Sequence, residues 1–248
     1  GPLLPHEESG SVVLYCSKRP SVYKEPYTYD NADLSDVILG SRYIPIVDEF
    51  VYLGTVIKRD CTDEGDVNRR IQKAGNAFGS LRKCLFSSTR IKPEVKGKVY
   101  ETYILPILLY GAESWSLTES LLKNLRSFHH RCMRNMCLVN RHHTWIHRIR
   151  MEDLANRLTI SSIDTYICRQ QLRWTGHVIR MNWSRLPRKM FSCWVRSKRP
   201  IGAPKYTYGR SLFKALTKAG IDVDQWCVLA SDRDAWRKMI RNLNIPFQ

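Results

Sequence analysis

Residues 161–181 read SSIDTYICRQQLRWTGHVIRM, and the spacing of their apolar side chains decides the fold class. At 100° per residue Ile163, Ile167, Trp174, Val178 and Met181 converge on one side, which predicts a helix from about Ser162 to Met181. The pattern Ser161-x-x-Asp164 can cap its start. Arg169, Arg173 and Arg180 fall within about 40° of one another and more than roughly 80° from the apolar face, with Gly176 in the same stripe. A basic ridge with one small residue would let a sugar-phosphate backbone approach closely. A solvated arginine face explains the same pattern equally well.

Working upstream, a helical period holds from Asp66, where Val67, Ile71, Ala74, Phe78, Leu81 and Leu85 form one stripe and Arg69, Arg70, Lys73, Arg82 and Lys83 lie off it. Pro93 suits the first turn of a second helix, which Pro106 should kink or end. A third helix is signalled by Ser116-x-x-Glu119, with Leu121, Leu125, Phe128 and Cys132 on one face. Before residue 60 the pattern is strand-like: VVLYC at 12–16, then VIL from Val37, a turn at Gly40-Ser41, RYIPIV, and EFVYLGTVI with Gly54 as a kink or close approach inside it. Downstream, RLPRKMFSCWVRSKRPIGAPKYTYGR reads as a basic arm ending in a loop. Two helices close the chain, one over about 208–219 with Gly220 as its C-cap and one following Ser231-x-x-Asp234 through Trp236 and Ile240. The fold class expected is mainly α with a small N-terminal antiparallel β-sheet, that is, α+β.

Charge narrows the function. The 248 residues carry 40 Lys and Arg against 23 Asp and Glu, a net of +17. Residues 1–140 hold 19 basic and 16 acidic groups, whereas 141–248 hold 21 and 7, so the second half supplies the signal for a polyanionic partner. Six of the seven tryptophans fall there too, interleaving flat side chains with cations. For the tryptophans alone a packed core is the better reading. Eight cysteines without a CxxC pair, and no signal-peptide pattern, point to reduced thiols in an intracellular setting, nuclear or cytoplasmic. The longest apolar run, Tyr103 to Ala112, is too short to span a bilayer, so no membrane partner is expected. The chain begins Gly1-Pro2 with no initiator methionine, which fits a processed product or a fragment of a longer protein.

Two clusters could carry chemistry. His129, His130, Cys132, Cys137, His142, His143 and His147 lie within 19 residues, and Cys132, Cys137, His142 and His147 are the zinc candidates among them. Against zinc, Cys132 begins the set on an apolar helix face, and the histidines serve as well by extending the basic surface. The acids Asp222, Asp224, Asp232 and Asp234 suit helix caps better than a nuclease, and Asp-Arg-Asp carries its own counter-charge.

The order EFVYLGTVI at 49–57, VNRRIQKAGNAFGSLRK at 67–83, ILLYGAESW at 107–115, QLRWTGHVIRM at 171–181 and DRDAWRKMI at 232–240 resembles the run downstream of the catalytic palm in LINE-type, non-LTR retrotransposon reverse transcriptases. The resemblance is collinear over roughly residues 35–245. It implies a palm remnant with a primer-grip hairpin over 1–60, in which Tyr52, Leu53 and Gly54 help position a primer end. It implies a helical thumb over 61–115 and a basic helical linker over 116–248 that binds nucleic acid. The family's polymerase site needs paired aspartates holding two divalent metals, and this sequence has no Asp-Asp pair. The chain alone is therefore expected to be no enzyme and to need no cofactor, Mg²⁺ belonging only to a complete parent polymerase. The partners expected are RNA or DNA, duplex or hybrid, and the missing polymerase core. Contacts are expected from Arg69, Arg70 and Lys73 on the thumb, from Arg169, Arg173 and Arg180 with Gly176 on the linker helix, and from Arg188, Lys189, Lys198, Arg199 and Lys205 on the arm. Two other readings stay open: an excised piece of an active RNA-directed DNA polymerase, and a domesticated product acting as a protein-interaction scaffold.

Overall fold

The computed structural model describes residues 13–14, 36–39, 42–58, 62–192 and 208–247. The chain divides into two compact units, 1–68 and 69–248, and the described residues are mainly helical with a little β-structure.

In the first unit, strands β1 (Val13–Leu14), β2 (Asp36–Leu39) and β3 (Arg42–Val47) form a sheet in the order β1-β3-β2. β2 and β3 are antiparallel and close on the pair Leu39↔Arg42, whereas β1 runs parallel to β3 and pairs only with Ile46 and Val47. The strands from Val37 onward pair antiparallel as expected, and β1, read from the sequence as a separate strand candidate, adds a short parallel edge. The stretch EFVYLGTVI is a hairpin of β4 (Glu49–Tyr52) and β5 (Thr55–Lys58), not one strand. Leu53 (φ 48°) and Gly54 (φ 86°) are its two-residue turn, and φ > 0 at both positions is what the strand twist of a tight hairpin requires. Gly54 therefore turns the chain instead of kinking a strand. Asp66 accepts the Val56 N–H at 3.1 Å, tying the hairpin to the first turn of the following helix.

The second unit contains most of helix α1 (Glu64–Leu81), which runs on through a π-helical turn at Arg82–Phe86. Phe78 and Phe86 stack at 4.3 Å, and Tyr100 meets Phe78 edge-on. Pro93 starts α2 (Pro93–Val99) as expected. The helix does not end at Pro106: a widened π turn, Tyr100–Ile104, leads into one more turn, α3 (Leu105–Leu108). Proline cannot give a hydrogen bond to the carbonyl four residues back and crowds it, and a wide turn accommodates both defects. Helix α4 (Glu119–Met136) buries Leu121, Leu125, Phe128 and Cys132, the stripe read from sequence. Its cap is Thr118, which accepts from Leu121 N, rather than Ser116. Two short helices follow, α5 (Arg141–Ile146) and α6 (Met151–Leu158). Helices α2 and α6 cross at Gly97, where a Cβ would lie 1.9 Å from the Leu158 carbonyl oxygen.

Helix α7 (Ile163–Ile179) is the hub of this unit. It packs on α4, on the 3₁₀ turn Ala112–Ser114, and on α8 (Leu186–Ser192), α9 (Tyr208–Lys218), α10 (Trp226–Ser231) and α11 (Arg233–Asn242). Residues on both sides of position 115 thus share one compact unit. Ser162, one residue past the expected Ser161, caps α7 by accepting from Thr165 N, and its hydroxyl donates to Ile245 O at 2.7 Å. Asp164 is not needed as a cap. It is buried, takes both its oxygens to Arg126 at 2.7 Å, and also meets Lys218 Nζ at 2.9 Å, so it joins α4, α7 and α9. Burial alone would raise its pKa, but the hydrogen bonds and charges of Arg126 and Lys218 win and hold the carboxyl below its ordinary range.

The C-terminal helices close as the sequence suggested, with one addition. Gly220 (φ 66°) ends α9 in a Schellman turn, Ile221 N bonding Leu216 O and Gly220 N bonding Thr217 O, each at 3.0 Å. Helix α10 was not expected. The cap of α11 is Asp232, whose Oδ1 accepts from Asp234 N and Ala235 N; Ser231 instead donates to Cys227 O inside α10. Leu172, Leu212, Leu216, Trp226, Trp236 and Ile240 form the core that these helices enclose. A buried tryptophan of roughly 150–250 Å² contributes about 4–6 kcal/mol at about 25 cal/mol/Å².

Candidate nucleic-acid interface

Helices α7 and α11 lie against each other with Trp236 between them. Its indole is 1% exposed, and its Nε1–H donates to the Leu172 carbonyl at 3.0 Å. The close approach depends on Gly176: a Cβ there would sit 2.2 Å from Trp236 Nε1. Gly176 is therefore small for the benefit of a helix-helix contact, which corrects its expected role of admitting a sugar-phosphate backbone.

Beside this contact runs an open groove of about 690 Å³, with Trp236 and Ile240 at its base and Arg173, His177, Arg180, Arg233, Arg237 and Arg241 around it. Among the described residues, no acidic side chain lines it. Arg233, Arg237 and Arg241 recur every fourth residue and so leave α11 on one side as a row, their backbone positions about 6 Å apart along the axis. One carboxylate stands near, Asp234, at 3.9 Å from Arg237 with both groups exposed, and a pair of that kind contributes little. Partial burial, with Arg233 and Arg237 close by, lowers the pKa of Arg180. Burial is the larger cause and the neighbouring cations add to it; among the described residues these arginines are gathered without compensating anions in the groove lining.

Of the basic residues expected from the sequence, Arg173 is exposed on this groove. Arg180 lines it while donating to Ala230 O at 2.5 Å, so it serves the end of α10 as well. Arg169 departs from the ridge: its Nη2 donates to Leu243 O at 2.6 Å and to Arg241 O at 3.1 Å, and it binds the last carbonyls of α11 instead of presenting a free charge. Arg70 also departs, being buried with its guanidinium 4.3 Å over the Tyr110 ring. Arg69 is half-buried and Lys73 exposed. Tyr52 and Leu53 are exposed at the hairpin turn, beside Gly54. Arg188 stacks over Trp183 at 4.3 Å and Lys189 is exposed on α8, while Lys198, Arg199 and Lys205 lie outside the described residues. The sequence reading missed Arg233, Arg237, Arg241 and His177. The fourfold spacing in DRDAWRKMIRN was available, but Asp232 counted there as counter-charge, and the structure spends it on backbone N–H groups.

The zinc candidates are not brought together. Cys132 faces the core, where burial pushes its thiol up to about 12, and Cys137 points at the Leu154 carbonyl. His142 and His147 are exposed, the latter ring 4.2 Å from that of His143. His129 belongs to the interior. Ser161 O can only accept, so His129 carries its proton on Nε2 and takes the Tyr100 hydroxyl on Nδ1 at 3.0 Å; burial drives its pKa down to about 3 and keeps it neutral. Among the described residues, no group of three or more His, Cys, Asp or Glu is placed to hold a metal, and no helix is long and apolar enough to cross a membrane.

The sequence is similar to a putative uncharacterized transposon-derived protein of Caenorhabditis elegans, 27% identical over 223 residues that cover 85% of this chain and 77% of the worm protein. This similarity supports a transposable-element origin. No protein-family model matches the chain, and no solved structure gives a significant match.

Proposed function

We propose that this transposon-related chain is a nucleic-acid-binding part of a LINE-type reverse transcriptase, gripping template-primer duplex or element RNA without performing polymerisation itself. The observation that carries the reading is the α7/α11 groove, where five arginines surround one channel and no acid is among the described residues that line it. Arginine suits this task because it stays charged and its planar fork matches phosphate oxygens. Contacts of this kind neutralise phosphates and release counterions, so affinity is steep in salt and nearly blind to sequence. The paired aspartates and Mg²⁺ of polymerisation would belong to another part of the parent protein.

The test is a binding series with the full chain against duplex DNA, RNA–DNA hybrid and single-stranded RNA at two or more salt concentrations. Replacing Arg233, Arg237 and Arg241 by Ala is expected to weaken duplex binding by about 30-fold or more and to make the slope of log K against log salt shallower by about 2.7, or 0.9 per lost phosphate contact. A wild-type chain with no salt-dependent affinity for any of the three would refute the reading.

A further inference from the structure

A second basic cleft lies elsewhere in the same unit. Arg82, from the π turn after α1, meets Arg131 and Arg134 of α4 and Arg141 of α5 around a space of about 500 Å³. The other described residues that line it are neutral: Ser87, Asn135, Leu138, Val139 and Asn140. None of the four arginines forms an ion pair among the described residues; Arg131 lies over the Phe128 ring at 5.4 Å, and Arg134 reaches the Met151 sulfur at 3.9 Å. Burial and the charges of Arg141 and Arg131 lower the pKa of Arg134, so the cluster is self-repelling as it stands. One turn beyond Arg141, on the same face of α5, Trp145 is 78% exposed. An indole so far out of the core contributes almost nothing to folding, and a flat π-surface beside unpaired guanidinium groups is the pairing that single-stranded nucleic acid uses.

We infer that this cleft is a separate contact for a single strand, with Arg82, Arg131, Arg134 and Arg141 taking successive phosphates and Trp145 stacking on an adjacent base. The assignment rests on the reading of the chain as a nucleic-acid binder, but it shares no residue with the α7/α11 groove. Stacking on an exposed ring selects unpaired bases, because in a duplex both faces of each interior base are already covered. The groove therefore serves any phosphate backbone, and the cleft adds a preference for a strand end, flap or template overhang.

Anisotropy titrations of the full chain test this, with a labelled oligothymidylate of about 15 nucleotides and a duplex of similar length as probes. Trp145→Ala is expected to weaken oligothymidylate binding by about 5- to 20-fold, Trp145→Phe to retain most of it, and both to leave duplex binding within about twofold. Arg131→Ala with Arg141→Ala, both exposed positions, is expected to weaken oligothymidylate binding and flatten its salt slope by about 1.4, or 0.7 per contact. Thermal midpoints of these variants should stay close to the wild type, since all three positions are exposed and the one contact to the interior that is lost, Arg131 over the Phe128 ring, is worth about 0.5–1 kcal/mol at an exposed site. Single-strand affinity unchanged by Trp145→Ala, or lowered equally for duplex, overturns the cleft. If that happens while the triple α11 variant still loses duplex binding, the function proposed above stands without the cleft; if the wild type binds neither probe, both fall.

Discussion

Helices α7 and α11 are written in similar letters, arginines alternating with large apolar residues, and they share one groove, yet they spend their polar groups differently. On α7 these groups mostly turn inward: Asp164 pairs with Arg126 and Lys218, Arg169 binds the last carbonyls of α11, Gln171 donates to Trp115 O at 3.1 Å, and Thr165 accepts from Ile245 N at 2.9 Å. On α11 the buried residues are Trp236 and Ile240, with the half-buried Met239 packed beside them, while Arg233, Arg237 and Arg241 remain exposed. Periodicity says which residues share a face. It does not say whether that face meets solvent or another helix, because the answer depends on how many neighbours the helix has. Helix α7 has neighbours on nearly every side, and α11 is held along one edge.

If α7 is the structural partner of the pair, its most damaging change is Asp164→Ala. The substitution would leave Arg126 and Lys218 facing a cavity without their anion, and removing one member of a buried pair costs about 3–5 kcal/mol. Urea unfolding would show it, and an unchanged midpoint would mean that Asp164 does not hold α4, α7 and α9 together in solution. The sign with pH also follows. Because the folded state holds the Asp164 pKa below its unfolded value, its contribution is fully present above about pH 4 and is lost as pH falls further. Asp164→Asn should lack that part of the acid limb.

A smaller effect is expected at the contact between the two helices. Gly176→Ala gains helix propensity but drives a methyl group into Trp236, whose indole is fixed by Leu172 O, so a net loss of about 2–3 kcal/mol is expected by thermal or urea unfolding. Gly79→Ala is the control. Nothing lies within 4 Å of a Cβ there, and the same substitution should stabilise by up to about 1 kcal/mol. Equal effects at the two glycines would mean that Trp236 does not seat against Gly176 in solution.

What was legible in the sequence follows the same division. The helices over 64–81, 119–136, 163–179, 208–218 and 233–242 could be read because their apolar stripes are long and local, and Gly220 marked a turn that only φ > 0 allows. The caps were each misplaced by one or two residues, since Ser116, Ser161 and Ser231 lie close to equally good capping side chains and only the backbone decides between them. Gly176, Arg169 and Arg70 were misread for a tertiary reason: Trp236, the end of α11 and Tyr110 are distant in sequence. The strand alternation of EFVYLGTVI alone concealed the turn, because Leu-Gly is a weak hairpin signal beside Asn-Gly, whereas the family resemblance implied a hairpin at Tyr52, Leu53 and Gly54, where the chain does turn. Arg82, Arg131, Arg134 and Arg141 come from three separate elements, and no spacing rule could have assembled them.

The finest test of the comparison is a change expected to do almost nothing to the fold. Replacing Arg233, Arg237 and Arg241 together by Ala removes three exposed cations whose one visible carboxylate contact is the long one from Arg237 to Asp234. Exposed pairs of that kind contribute about 0–1 kcal/mol, alanine is the best helix former, and relief of repulsion with Arg180 acts in the stabilising direction. The unfolding free energy should therefore stay within about 0.5 kcal/mol of the wild type. Arg169→Ala, a single substitution, should cost more, about 1–2 kcal/mol, because it strips hydrogen bonds to a charged donor from two carbonyls at the end of α11. If three arginines on α11 proved more important to stability than one on α7, their side chains would have to lie along the apolar edge of the helix, and the groove would lose the exposed charges on which the proposed binding of nucleic acid rests.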